Sequence, residues 1–514
     1  MSDPKGRPKR TLSPNERPRE IELKLEIASG EADALLAHPV LVEARSKNSQ
    51  GGALHAVYFD TDDHALRRKG ISLRIRRENG KSVQTIKAEG SHRGVAMDRG
   101  EWETLVDGEL DLAAATGTPL EAFVSDASVR GNIKPVFTVE TERRAFEAEL
   151  DGALIEVALD RAKASADEQA VAFSEIELEL REGAPAALFA LARHLSEAAP
   201  LRLSTVAKSE RGYRLLENGA VRPFRAEKVE LDRNATCAEA FQVIARSCLS
   251  QMVRNEDLVR QTQESAALHQ MRVGLRRLRA AMSLFKNQLL TDPESAAIKD
   301  NLRWAGQALG TARDLDVFLE RLRSMDDAGH DGTQVEEVEQ RRAQAYRELL
   351  ETLESRRFMD VVLQAAAWIE AGAWAVSDDP GLEEARERPA RDFAAGELSR
   401  RFKRICKLGR NLRELSDEER HELRIRIKKL RYGAEFFASL FPSGKAQKRR
   451  KKLSGVLEDL QEMLGELNDL AVGGSLAPSL PGPSPEHTER RREKLLDKSE
   501  AALGKLARTE PFWL

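Results

Sequence analysis

Glu20-Ile21-Glu22-Leu23-Lys24-Leu25-Glu26 alternates charged and aliphatic side chains without a break, the period of a β-strand. Ile21, Leu23, Leu25 and Ile27 share one face; Glu20, Glu22, Lys24 and Glu26 share the other. A helix would scatter these charges around its surface, whereas a strand lines them up about 6–7 Å apart. Alone, such a strand reads as a solvated edge whose charges deter aggregation. The pattern then recurs over roughly the next two hundred residues, with both signs of charge.

Working outward, Glu31 to Ala44 predicts a short helix, and His55-Ala56-Val57-Tyr58-Phe59-Asp60-Thr61 a strand running into a turn. Ile71 to Arg76 alternates with Arg74 and Arg76 on one face, and Val83 to Lys87 follows. Arg99, Glu101 and Glu103 share a face, as do Glu156 and Asp160. Val136 to Ala148 carries Arg143 and Arg144. Ser174 to Leu180 sets Glu175, Glu177 and Glu179 against Ile176, Leu178 and Leu180. A helix is expected over 185–198, and Lys208 follows it.

Composition bounds the rest. A chain of 514 residues suits two or three domains. With 41% hydrophobic and 32% charged residues it is globular with ample core. Only 5% is aromatic, which argues against base-stacking platforms and disfavours nucleic acid. Cys237, Cys248 and Cys406 have no metal-ligand spacing, so a reducing cytoplasmic compartment is the simplest reading. No apolar run approaches a membrane span, and no signal-peptide core is evident.

Roughly eight strands with charged faces nearly empty of Ser, Thr or Asn fit two geometries. In one, the charges face solvent on an open sheet. In the other, the sheet curls into a barrel with a charged lumen. Unpaired charge in a dry lumen is very costly. A wet lumen holding a polyanion with divalent cations resolves this, because Arg and Lys hold phosphate oxygens and carboxylates hold Mg²⁺.

The ordered set Glu20-x-Glu22-x-Lys24, Tyr58-Phe59-Asp60-Thr61, Leu73-Arg74-Ile75-Arg76, Lys87, Arg99-x-Glu101-x-Glu103, Arg143, Asp160, Glu175-x-Glu177-x-Glu179 and Lys208 resembles the CYTH, or triphosphate tunnel metalloenzyme, family over about residues 18 to 215. The resemblance implies an eight-stranded antiparallel tunnel with flanking helices that acts on a triphosphate. Lys24, Arg74, Arg76, Lys87 and Arg143 would then clamp phosphates. Glu20, Glu22 and members of the set Asp160, Glu175, Glu177 and Glu179 would hold Mg²⁺ or Mn²⁺. Glu20, Glu22, Lys24 and Lys208 are the expected catalytic groups.

After a connection over 216–232 the pattern becomes helical throughout. His269-x-x-Arg272-x-x-x-Arg276-Arg277-Leu278-Arg279 recurs 152 residues on, 421 against 269, as His421-x-x-Arg424-x-x-x-Lys428-Lys429-Leu430-Arg431. Leu309-Gly310-Thr311-Ala312-Arg313-Asp314-Leu315 recurs as Leu464-Gly465-Glu466-Leu467-Asn468-Asp469-Leu470. Two blocks at nearly one offset indicate a duplicated helical unit. At about 100° per residue, His269, Arg272, Arg276 and Arg279 fall within an arc of about 80°. Leu268, Met271, Leu275, Leu278 and Met282 form the adjoining apolar stripe, and Leu423, Ile427 and Leu430 repeat it. A basic row without acids, twice repeated, points to an anionic ligand.

These blocks resemble the CHAD family, helical domains associated with inorganic polyphosphate, from about residue 225 to the end. The expected architecture is therefore multidomain, α+β then all-α: a disordered basic tail (1–17), the tunnel (18–215), a linker (216–232) and a duplicated helical bundle (233–514). The expected activity is metal-dependent hydrolysis of inorganic triphosphate, with long-chain polyphosphate held by His269, Arg272, Arg276, Arg279, His421, Arg424, Lys428 and Arg431. Polyphosphate granules are a candidate location. A thiamine triphosphatase, a class IV type adenylyl cyclase and a non-catalytic polyphosphate-binding protein stay open as alternatives.

Overall fold

The computed structural model describes residues 19–27, 30–47, 50–89, 95, 97–217, 222–325, 332–476 and 485–514. The expected basic tail and the side chain of Glu20 lie outside the described part. The chain forms two compact units. One takes the chain up to Phe224 together with Leu249–Met271 and Gln307–Glu370; the other takes Arg225–Cys248, Arg272–Gly306 and Ala371–Leu514.

The first unit holds an antiparallel sheet of β1 (Arg19–Ile27), β2 (Gln50–Asp60), β3 (Ile71–Glu78), β4 (Lys81–Glu89), β5 (Met97–Val106), β6 (Lys134–Leu150), β7 (Ala153–Ala166), β8 (Gln169–Glu182) and β9 (Leu201–Ser204). Their order is β5-β4-β3-β2-β6-β7-β8-β1-β9. β1 also pairs with β5, from Arg19↔Gly100 to Glu22↔Met97. Beyond that short seam β1 leaves β5 and pairs with β9. The eight-stranded tunnel expected from sequence is thus a nine-stranded sheet that meets itself over a few residue pairs only. β9 escaped the sequence reading because its alternation of Leu201 and Leu203 with Arg202 and Ser204 lasts only four residues, too short a run to stand out.

Two-residue turns set the register. Asn79 and Gly80 between β3 and β4, and Asp151 and Gly152 between β6 and β7, all have positive φ, as type I′ hairpins require. The outer face carries Leu23, Leu25, Ile176 and Leu178, all fully buried. The helix Ala186–Ala198 packs on β1, β8 and β9. A second apolar cluster joins Ile71, Leu73 and Ile86 to Leu66, Ala115 and Leu120. A third joins Ala56, Tyr58, Phe137, Val139, Ala162 and Ala164 to Tyr213 of the helix Lys208–Leu216.

Outside the sheet the described residues are almost wholly helical. The helix Ser265–Phe285 buries Leu268, Met271, Leu275, Leu278 and Met282, and the helix Asp417–Phe436 buries Leu423, Ile427 and Leu430. Both apolar stripes are those read from sequence. Arg277 is the exception in the basic block: it is buried and paired with Glu435. The helix Gly444–Leu476 runs through Gly473 and Gly474, residues that more often mark a loop. Among the described residues no helix is long and apolar enough to cross a membrane.

Candidate functional site

Strand register decides which charges meet inside the sheet. β1 against β8 sets Glu22 beside Glu179, Lys24 beside Glu177 and Glu26 beside Glu175. β7 against β8 sets Asp160 beside Glu175 and Glu156 beside Glu179, and β6 against β7 sets Arg143 beside Asp160. The carboxylates therefore concentrate on β1, β7 and β8. Arg74, Arg76 and Lys87 come from β3 and β4, which lie across the ring from β7 and β8 in the strand order. Glu22, Lys24, Arg74, Arg76, Lys87, Arg143, Glu156, Glu177 and Glu179 line one cavity of about 200 Å³, together with Tyr58, Glu101, Glu103 and Lys208; Asp160 and Glu175 are fully buried beside Lys208.

The acidic wall is dense. Asp160, Glu175 and Glu177 present carboxylate oxygens within 4.8 Å of one another, an arrangement able to hold a metal ion. Three cations sit on them. Lys208 Nζ lies 2.8 Å from Asp160, 2.5 Å from Glu175 and 2.8 Å from Glu177. Arg143 donates through Nε and Nη2 to Asp160, at 2.8 and 2.6 Å, and through Nη2 to Glu177 at 2.6 Å. Lys24 pairs with Glu177 and lies 3.2 Å from Glu22. Burial alone would raise the carboxyl of Asp160, but Lys208 and Arg143 outweigh it and hold it well below the usual range. Glu175 is held down in the same way against burial, by Lys208, Lys24 and Arg211. One oxygen of Glu175, Oε2, is buried with no hydrogen-bond partner among the described residues. An oxygen in that state has spare capacity for a cation, so the donor set fits a hard divalent metal.

The basic wall is paired more loosely. Arg74 Nη1 donates to the Tyr58 hydroxyl at 3.4 Å, and Arg76 reaches Glu103 only at 3.5 Å. The Nε of each is buried with no partner among the described residues. Burial, then the charges of Arg74 and Arg143, push Arg76 below the ordinary guanidinium range. Lys87 lies 3.2 Å from Glu101.

The structure thus gathers Glu22, Lys24, Arg74, Arg76, Lys87, Arg143, Glu177, Glu179 and Lys208 around one lumen, with Asp160 and Glu175 buried against Lys208. Glu179 lies apart from the trio, 2.5 Å from Arg181. Lys208, one of the expected catalytic groups, caps the carboxylates from the first turn of its helix. Of the neighbouring arginines, Arg143 is the one that meets Asp160. Arg181, which also bridges to Glu156 at 2.5 Å, was missed. It continues the face of Glu175, Glu177 and Glu179 by one more step of two, so the alternation contained it.

In the second unit the two repeated motifs meet. His421 Nδ1 pairs with Asn468 Oδ1 at 2.8 Å, which joins the second His-x-x-Arg helix to the second Leu-Gly block. Arg424 Nε donates to the Gln461 carbonyl at 3.4 Å, and Arg431 Nε to the Gln461 side chain at 3.2 Å. Burial, with the charges of Arg424, Arg276 and Arg431, pushes Lys428 down to about 8. Arg276 from the first repeat therefore shares a field with Arg424 and Lys428 from the second. His269, Arg272 and Arg279 lie on the same helix as Arg276.

Comparison with known proteins resolves what these two sets are. Residues 18–213 match the CYTH domain, and residues 243–478 match the CHAD domain. The chain joins a CYTH domain to a CHAD domain. Over 203 residues, 38% of the chain, it is 30% identical to the inorganic triphosphatase of Haemophilus influenzae, and the match spans 55% of that protein's length. The crystal structure of the CHAD domain from the plant Ricinus communis is 31% identical, with a TM-score of 0.46, covering 55% of this chain and 96% of that one. A Hippeastrum protein described with a dominant triphosphatase activity is 22% identical, with a TM-score of 0.28, covering 40% of this chain and 98% of that one. The CYTH domain contains every lumen residue described above, and the CHAD domain contains both basic blocks.

Proposed function

We propose that the CYTH domain hydrolyses inorganic triphosphate with the help of a divalent cation, and that the CHAD domain holds long-chain polyphosphate. The observation that carries the first reading is charge segregation within one lumen. The Nε of Arg74 and that of Arg76 are buried without a hydrogen-bond partner among the described residues, while Asp160, Glu175 and Glu177 converge on strands across the ring from them. A compact polyanion satisfies the donors, and a base or sugar is not needed to do so.

Arg74, Arg76, Lys87 and Arg143 grip the phosphate oxygens and align the chain. Water attacks a terminal phosphorus, the bond to the bridging oxygen breaks, and diphosphate leaves with orthophosphate as the other product. Asp160, Glu175 and Glu177, with Glu22 beside them, would hold Mg²⁺ or Mn²⁺; when bound, it neutralises phosphate charge and lowers the pKa of water. Arg143 and Lys24 already touch both carboxylates and lumen, so they exchange a carboxylate partner for a phosphate oxygen as substrate enters. Charge neutralisation and alignment are most of what phosphoryl transfer requires.

The test is phosphate release from tripolyphosphate, thiamine triphosphate, ATP and long polyphosphate, with Mg²⁺ and with Mn²⁺. Tripolyphosphate is expected to be turned over fastest. Glu175→Gln is expected to lose on the order of a hundredfold, because an amide replaces a metal ligand, and to weaken Mn²⁺ binding in calorimetry. Faster conversion of ATP to a cyclic nucleotide would replace this reading with the cyclase one. No turnover of any substrate would leave a binding protein.

A further inference from the structure

Within the second basic row, Lys428 is half-buried on the helix Asp417–Phe436. We propose that it is a modification site, acylated at Nζ by a small acyl phosphate whose phosphoryl group Arg276 and Arg424 hold.

The helix sets the frame. At about 100° per residue, Arg424, Lys428 and Arg431 fall within an arc of about 60°. Arg424 and Arg431, about one turn to either side of the lysine, both reach Gln461 of the helix Gly444–Leu476. Lys428 therefore lies between two guanidinium groups that lean toward one neighbouring residue. The first repeat adds a third. Arg277 is paired with Glu435, and a Cβ on Gly433 would lie 3.3 Å from Leu284 Cδ2, so the two repeat helices pack together here. Arg276 comes close enough for its charge to act on both Arg424 and Lys428.

These cations are largely uncommitted. Arg276 and Lys428 make no hydrogen bond or ion pair among the described residues. Arg424 spends its Nε on a backbone carbonyl at 3.4 Å. Glu458 answers Arg431 at 3.6 Å, and Asp469 acts on Arg424 and Lys428, so positive charge stays in excess. Burial and the three arginines push Lys428 down to about 8. Roughly a tenth of it is then neutral amine at pH 7, against well under a thousandth of an ordinary lysine. The neutral amine is the nucleophile.

Arginines beside such an amine select the electrophile. They hold a phosphate and stabilise its departure, whereas an uncharged ester offers them nothing to grip. The lysine nitrogen attacks the acyl carbon and a C–N bond forms. The bond from that carbon to the phosphate oxygen breaks, and the amine proton leaves with orthophosphate. The amide carries no charge, so the basic row loses one cation. This chemistry does not need the polyphosphate reading; only its effect on polyphosphate affinity rests on that reading.

The experiment treats the full chain with acetyl phosphate and, separately, with the uncharged N-hydroxysuccinimide ester of acetic acid. Peptide mass spectrometry follows acetylation at Lys428 and at the exposed Lys448. Acetyl phosphate is expected to modify Lys428 about tenfold faster than Lys448. In Arg276→Gln with Arg424→Gln, the ratio of acetyl phosphate rate to ester rate should fall roughly fivefold at Lys428 and stay the same at Lys448. Taking the ratio cancels any change in the amine's own basicity. Arg276→Gln alone, at an exposed position, should already lower the ratio without affecting folding. Equal rates at the two lysines in wild type, or a ratio at Lys428 unmoved by losing the arginines, would each overturn the proposal. Calorimetry with long-chain polyphosphate on the untreated protein keeps the two readings apart. Selective acetylation without polyphosphate binding fails the polyphosphate reading and leaves this one standing; binding without selective acetylation does the reverse.

Discussion

Lys208 shows how one side chain couples stability to ligand. Its ammonium stands among Asp160, Glu175 and Glu177, and the charges of Glu175 and Asp160 raise it against the opposing effect of burial. Lys208→Met leaves buried carboxylates short of a partner, which costs about 3–5 kcal/mol. We expect a lower Tm for the variant, recovered by Mn²⁺ through ordinary binding linkage. A Tm unmoved by Mn²⁺ would make the trio a structural ion cluster. Glu256 is a second such residue. It pairs with Arg202 of β9, which also donates to the Leu353 carbonyl at 3.1 Å, and Arg260 and Glu26 lie near it. Burial pushes its carboxyl up to about 7 despite Arg202. Between the ordinary value of about 4.3 and that value the folded chain binds more protons than the unfolded one, so stability falls as pH rises through this window. At about 1.4 kcal/mol per unit the decline is on the order of 3 kcal/mol. Denaturant unfolding from pH 4 to 8 should show it in wild type and not in Glu256→Gln; equal curves would refute the assignment.

At the scale of elements, alternation was legible wherever one face is polar, as in β1, β3 and β8. It was too short to read in β9, whose four residues alternate but are all buried. Helix periodicity likewise exposed both basic rows, yet gave no hint that Arg277 turns inward to Glu435. The duplicated Leu-Gly block has a reason visible only in the packing. A Cβ on Gly465 would lie 3.0 Å from Arg424 Nη2 and 3.2 Å from its Nε, so the missing side chain is the space the guanidinium uses. Gly465→Ala sits within the helix Gly444–Leu476, where the exchange favours the helix by roughly 0.5–1 kcal/mol. We therefore expect an unchanged or higher Tm combined with roughly tenfold weaker polyphosphate binding, the loss of about one charge-assisted contact. Unaltered affinity would mean that Arg424 makes no contact with the polyanion.

For the whole molecule, the prediction is that the two anion functions separate. Replacing Arg272, Arg276, Arg424 and Lys428 by Ala in the full chain should weaken long-chain polyphosphate binding by orders of magnitude and flatten its salt dependence. Tripolyphosphate hydrolysis should stay the same. Calorimetry at low and high salt, with phosphate release on the same samples, decides the matter. Loss of hydrolysis would mean that both ligands share one site. By itself the sequence determined the strand faces, the helical half, its duplication and the types of side chain on each face. These follow from the chemistry of near neighbours and from fixed periods of two and about 3.6 residues. Only the tertiary structure decided that Lys24 pairs with Glu177, that Arg143 rather than Arg144 meets Asp160, and that Lys208 sits on the acids. Such pairings join residues far apart in the chain. They depend on strand register and on how the sheet curls, and neither property is carried by any single stretch of sequence.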